Sequence, residues 1–108
     1  MDRKTKDRFK ARAGVIKAMG HPTRLFIIDE LSRNQLCVCK LTEMIGADIS
    51  TVSRHLSILK EAGIITDEKR GQQVFYSLRM PCVLKFFTCV ESVLKSSAAR
   101  QTKLLEKR

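Results

Sequence analysis

Residues 41–65 limit the fold more than any other stretch, because they punctuate two helices only a few residues apart. A short helix from about residue 39 to 45 ends at Gly46, a residue that readily takes the left-handed conformation closing a helix. Two positions later Asp48 can accept the backbone N–H near Thr51 and so start another helix, which runs to about Ala62 and closes at Gly63. Val52, Leu56 and Leu59 recur at i, i+4 and i+7, which makes one inward stripe. Helix, glycine-containing turn of about four residues, then helix is the helix-turn-helix spacing.

The flanking segments extend this unit on both sides. Residues about 5–19 read as a helix marked by Phe9, Val15, Ile16 and Met19 and stopped at Gly20. "HPTRLFIIDELSR" places Pro22 in a first helical turn, where its missing N–H costs nothing, and Leu25, Ile28 and Leu31 follow at helical spacing. "GIITDEKRGQQVFYSL" predicts two strands joined at Arg70, Gly71 and Gln72, with Val74, Tyr76 and Leu78 alternating. After Pro81 a last helix carries Val83, Phe86, Phe87, Val90, Val93 and Leu94 on one broad face. The expected architecture is mainly α with a small β-hairpin. No linker or repeat divides it, so residues 1–108 read as a single domain. Within it lie a basic N-terminal arm of about residues 1–8 and a polar C-terminal tail of about 97–108 that is expected to fray. A chain of this length has a small core that a dimer can enlarge.

The fourth helix has a second face whose chemistry suits a polyanion. Ser50, Ser53, Arg54 and Ser57 fall at i, i+3, i+4 and i+7, away from the apolar stripe. Three short hydroxyls and one arginine stabilise a helix poorly. In a groove, however, the hydroxyls permit close approach and Arg54 reaches a guanine edge or a phosphate. Thr51, His55 and Lys60 complete the candidate DNA surface, Lys60 at the level of the backbone. The hairpin tip adds Lys69, Arg70, Gln72 and Gln73 as a wing able to reach phosphates or a minor groove. The net charge of +10 agrees with a polyanionic partner. It is uneven, with seven basic and two acidic groups in residues 1–19 and six and two in residues 80–108. No apolar run approaches membrane-spanning length, so the expected setting is the cytoplasm without a membrane partner. The competing reading is an ordinary solvated face.

"QLCVCKL" sets Cys37 and Cys39 just where the third helix begins. On a regular helix two residues turn through about 200°, so the thiols would point apart. They can share one ion only if the backbone there is extended or unwinds, and binding would then distort the start of the helix-turn-helix. A helix N-terminus also favours the thiolate that soft metals need. Cys82 and Cys89 are the remaining thiols; seven apart, they stand about 10.5 Å from each other along the last helix. Core filling competes for all four cysteines. His21 belongs to a helix entry and His55 reads as a structural hydrogen-bonder or phosphate contact. No nucleophile has a plausible base beside it, so an enzyme is not expected.

"GADISTVSRHLSILKEAGII" followed by "KRGQQVFYSL" resembles the core of the ArsR/SmtB winged helix-turn-helix repressors. "MGHPTRLFIIDEL" and "QLCVCKL" are similar to that family's second helix and cysteine-bearing third helix, so the resemblance covers roughly residues 15–94. It implies a homodimer paired through first and last helices, bound to a two-fold operator and released by an inducer. The family's base-contacting positions match Ser50, Ser53 and Arg54. The cysteine pair resembles the arsenite-sensing type, with arsenite or a methylated trivalent arsenical as inducer and no obligatory cofactor. Three departures stand out: Thr42 where a third cysteine is common, Lys40 where an acidic residue is usual, and Gln35 for a common Glu. A third thiolate would come from Cys89 or, less directly, Cys82. The family's zinc sites use histidine and acidic residues on the last helix, and residues 80–96 contain no histidine. The alternatives are a repressor responding to cadmium, lead or mercury, or a redox or persulfide switch, through the same cysteines.

Overall fold

The structure, a computed structural model, describes residues 1–106. In chain order the elements are α1 (Arg3–Met19), α2 (Pro22–Leu31), β1 (Leu36–Cys37), α3 (Val38–Ile45), α4 (Ile49–Glu61), β2 (Ile65–Arg70), β3 (Gln73–Leu78) and α5 (Val83–Glu106). Local chemistry explains most of the boundaries. Asp2 and Asp48 cap α1 and α4 by accepting the N–H groups of Thr5 and Thr51, both at 2.7 Å. Gly46 ends α3 at φ 78°, where a Cβ would be strained, and its N–H returns to the Thr42 carbonyl at 2.9 Å. Gly71 turns the hairpin at φ 62°.

The core lies where α2, α3 and α4 meet the sheet. Ile27, Ile28, Leu41, Val52, Leu56, Leu59, Ile64 and Ile65 are fully enclosed, and Leu36, Tyr76 and Leu78 pack against them from the strands. Burying each such side chain contributes about 1.5–3 kcal/mol before chain entropy is counted. The inward stripe expected for α4 is therefore the centre of the domain.

Three features differ from the sequence expectation. The sheet has three strands rather than two, in the antiparallel order β1-β3-β2, with Leu36 opposite Tyr76 and Cys37 opposite Phe75. Two residues are too few to show alternation, so β1 exists only because β3 offers it a ladder. The expected arm is helical from Arg3. The expected frayed tail is likewise helical, because α5 continues without a break to Glu106. Residues 107–108 of that tail lie outside the described residues. Lys, Arg, Gln and Ala all favour helix, so once α5 is nucleated, nothing between residues 97 and 106 stops it.

α5 is anchored at its start by buried Val83 and half-buried Phe87. Beyond that point Phe86, Val90, Val93 and Leu94 are 40–62% exposed. Phe86, Val90 and Leu94, with Ile16 of α1 and Leu25 and Phe26 of α2, line an open apolar groove of about 480 Å³.

Candidate nucleic-acid interface and thiol pair

α4 presents the face that its sequence spacing predicts. Ser50, Thr51, Ser53, Arg54, Ser57 and Lys60 are exposed, while Val52, Leu56 and Leu59 are fully buried behind them. Asp48 organises the leading turn: it accepts the Ser50 hydroxyl and the Thr51 N–H, each at 2.7 Å. Those bonds, led by the one from Ser50, hold its carboxyl below the usual range. At the far end Lys60 is paired with Asp67 of β2 at 2.9 Å, which ties the helix to the wing and raises the lysine pKa.

His55 behaves differently from its neighbours on α4. It is half-buried, its Nδ1 accepts a hydrogen bond from Arg24 Nη1 at 3.2 Å, and its ring centroid lies 4.5 Å from that of His21. Accepting through Nδ1 leaves the imidazole proton on Nε2. Burial first, then the charges of His21, Arg24 and Arg54, push its pKa below 6.5, so the ring is neutral at pH 7. The sequence reads His55 as a structural hydrogen-bonder or a phosphate contact on the DNA surface; its bond from Arg24 and its place beside His21 give it the first of these roles. His21 in turn caps α2, its Nδ1 accepting the Thr23 N–H at 3.1 Å. Arg24 also donates through Nε to the Ala18 carbonyl at 2.6 Å. It therefore joins the end of α1, the start of α2 and the middle of α4, a role the sequence reading missed.

The wing tip is polar as expected, with Lys69, Arg70, Gln72 and Gln73 exposed. Arg70 is already occupied. It donates to Gln35 Oε1 at 2.9 Å and Glu68 Oε2 at 3.1 Å, and its guanidinium carbon lies 4.9 Å from the centroid of the Phe75 ring. Gln73 points its amide nitrogen at Cys39 Sγ, 4.0 Å away. Gln35 enters the site through Arg70, and nothing in its sequence position signals that contact.

Cys37 and Cys39 come together because Cys37 is not helical. It is the N-cap of α3 with extended backbone (φ −79°, ψ 161°), at the end of β1. The 200° divergence expected on a regular helix does not arise. The Cα atoms are 5.4 Å apart and the two sulfurs are joined as a disulfide. Cys37 Sγ accepts the Lys40 N–H at 3.4 Å, so the sulfur itself serves as the helix cap. Cys82 and Cys89 are free and exposed on and beside α5. Among the described residues of the single chain, no three His, Cys, Asp or Glu side chains gather to hold a metal ion, so neither Cys82 nor Cys89 joins the pair within one protomer.

Comparison with known proteins places this geometry. Residues 21–67 match the family described as "Bacterial regulatory protein, arsR family". An HTH-type transcriptional regulator of Methanocaldococcus jannaschii is 41% identical over 71 residues, covering 65% of this chain and 80% of that protein. The arsenic resistance transcriptional regulator ArsR1 of Pseudomonas putida is 40% identical over 65 residues, 59% of this chain, which spans only 51% of ArsR1. Among solved structures, NolR from Sinorhizobium fredii superposes with a TM-score of 0.77 at 26% identity, covering 86% of this chain and 93% of that one. No helix among the described residues is long and apolar enough to cross a membrane. The wing, the capped recognition helix and these likenesses converge: the chain belongs to the arsR family of bacterial regulatory proteins, and it is a winged helix-turn-helix transcriptional regulator rather than an enzyme.

Proposed function

We infer that the chain is a cytoplasmic, homodimeric repressor that leaves its operator when a trivalent arsenical, arsenite or a methylated form, binds the thiolates of Cys37 and Cys39. The observation carrying this reading is the meeting of the two sulfurs at the N-cap of α3, the first helix of the helix-turn-helix. A ligand bridging both sulfurs competes with the Lys40 N–H for the lone pairs of Cys37 Sγ and so weakens the cap of α3, whose packing against α4 sets the angle of the reading helix. Relatives named for arsenic and for cadmium resistance match this chain over similar lengths, so their names do not choose the ion. Two soft thiolates without imidazole favour a thiophilic ion over zinc, and the likeness of the cysteine pair to the arsenite-sensing type is what supports As(III) among such ions.

On DNA, α4 enters the major groove with Ser50, Ser53 and Arg54 toward base edges. Lys69 and Gln72 of the wing meet phosphates or the neighbouring minor groove. The exposed apolar faces of α1 and α5 are covered by a second copy, which brings two reading helices to a two-fold site. Inducer and operator then oppose each other by a coupling of about 1–3 kcal/mol, equal in both directions.

The disulfide supports a second reading, a redox-operated repressor using the same pair. Reducing it takes two electrons and two protons, which two equivalents of a low-molecular-weight thiol supply as they become a disulfide. Fluorescence anisotropy of the chain on its promoter DNA, anaerobic and reduced with a phosphine, separates the readings. Arsenite is expected to release DNA from wild type and not from Cys37→Ala/Cys39→Ala. Release by oxidant but not by arsenite makes the pair a redox switch. Release by neither refutes both.

A further inference from the structure

The two cysteines share their surroundings with the wing. β1 is an outer strand of the sheet whose other strands form the wing, and Cys37 stands opposite Phe75 in that ladder. From the wing, Gln73 aims its amide nitrogen at Cys39 Sγ from 4.0 Å. Arg70, three residues earlier, crosses Phe75 to donate to Gln35, directly ahead of β1. Two sulfurs, the amides of Gln73 and Gln35 and one guanidinium thus meet on a surface made half from β1, α3 and the residue ahead of them and half from the wing.

We propose that Gln73 is the third contact of the inducer site, hydrogen-bonding the hydroxyl that arsenic keeps after Cys37 and Cys39 have replaced the other two. This rests on the reading of those cysteines as the inducer's ligands. Arsenite reaches the reduced pair as As(OH)3. Two As–S bonds form, two As–O bonds break, and the leaving hydroxides depart as two waters with the thiol protons. Arsenic stays trivalent and retains one hydroxyl, which both donates and accepts. A glutamine amide offers both complements. Monomethylarsonous acid spends both of its hydroxyls on the same two sulfurs and turns a methyl group outward, leaving Gln73 nothing to bond. Gln73 is therefore a specificity-determining residue that favours the inorganic ligand. Because it begins β3, the ligand draws on the wing as well as on the α3 cap.

The test uses the full chain, reduced with a phosphine under anaerobic conditions, in wild-type and Gln73→Ala forms. Binding of arsenite and of monomethylarsonous acid is followed directly by the ultraviolet absorption of As–S bonds. Operator release is measured in parallel. Losing one hydrogen bond is expected to weaken arsenite binding roughly three- to tenfold while leaving monomethylarsonous acid within about twofold. Equal weakening of both ligands, or of neither, overturns the role of Gln73 while the cysteine reading stands. Failure of wild type to bind arsenite at all overturns both.

Discussion

Replacing Arg24 by Met tests whether the reading helix is held in place by a three-helix clamp. The substitution keeps most of the aliphatic stem and removes two hydrogen bonds, to the Ala18 carbonyl at 2.6 Å and to His55 Nδ1 at 3.2 Å. Bonds from a charged donor are worth about 1.5–3 kcal/mol each when buried. Both here are only part-buried and the second is long, so water recovers some of the loss and the expected destabilisation is about 2 kcal/mol. The assay is urea unfolding followed by circular dichroism at fixed protomer concentration, since dimerisation would otherwise contaminate the comparison. Imidazole titration by NMR supplies an independent signal. Arg24 is one of the charges depressing the His55 pKa, so the variant should move it upward, though not fully to 6.5, because burial is the larger cause and remains. An unfolding free energy within about 0.3 kcal/mol of wild type, together with an unmoved His55 titration, would refute the clamp.

The same imidazole makes stability depend on acidity. His55 binds its proton more weakly folded than unfolded, so its stabilising contribution is complete above pH 6.5 and is lost as pH falls through the depressed folded value. Thermal melts from pH 8 to 5 should show that loss, and a His55→Gln variant should flatten it. On the DNA face, Arg54→Ala should cost about 1–3 kcal/mol of operator affinity and relax base preference, whereas Lys69→Ala should weaken all sequences alike and lower the salt slope by about one. Leu94→Asp, at a position 62% exposed in the protomer, should shift sedimentation toward monomer while leaving the monomer's helical circular dichroism intact. Retention of the dimer there would remove α5 from the interface.

What the sequence by itself determined was written in short-range chemistry. Asp48 three residues before Thr51, Gly46 after an amphipathic turn, and Val52, Leu56 and Leu59 at helical spacing are local instructions. They gave α3, α4 and the split of α4 into a buried stripe and a hydroxyl-rich face. The hairpin followed from alternation around Gly71 in the same way. What only the tertiary structure decided were the contacts joining residues far apart in the chain. β1 is two residues long and carries no periodicity, so it appears only when β3 pairs with it. That pairing holds Cys37 extended and turns a pair that should diverge into one whose sulfurs touch. Arg24 meets His55 across 31 positions, Arg70 meets Gln35 across 35, and Gln73 meets Cys39 across 34. Local periodicity holds no record of such meetings, because which side chains face each other there depends on how the helices and the sheet stack around one core.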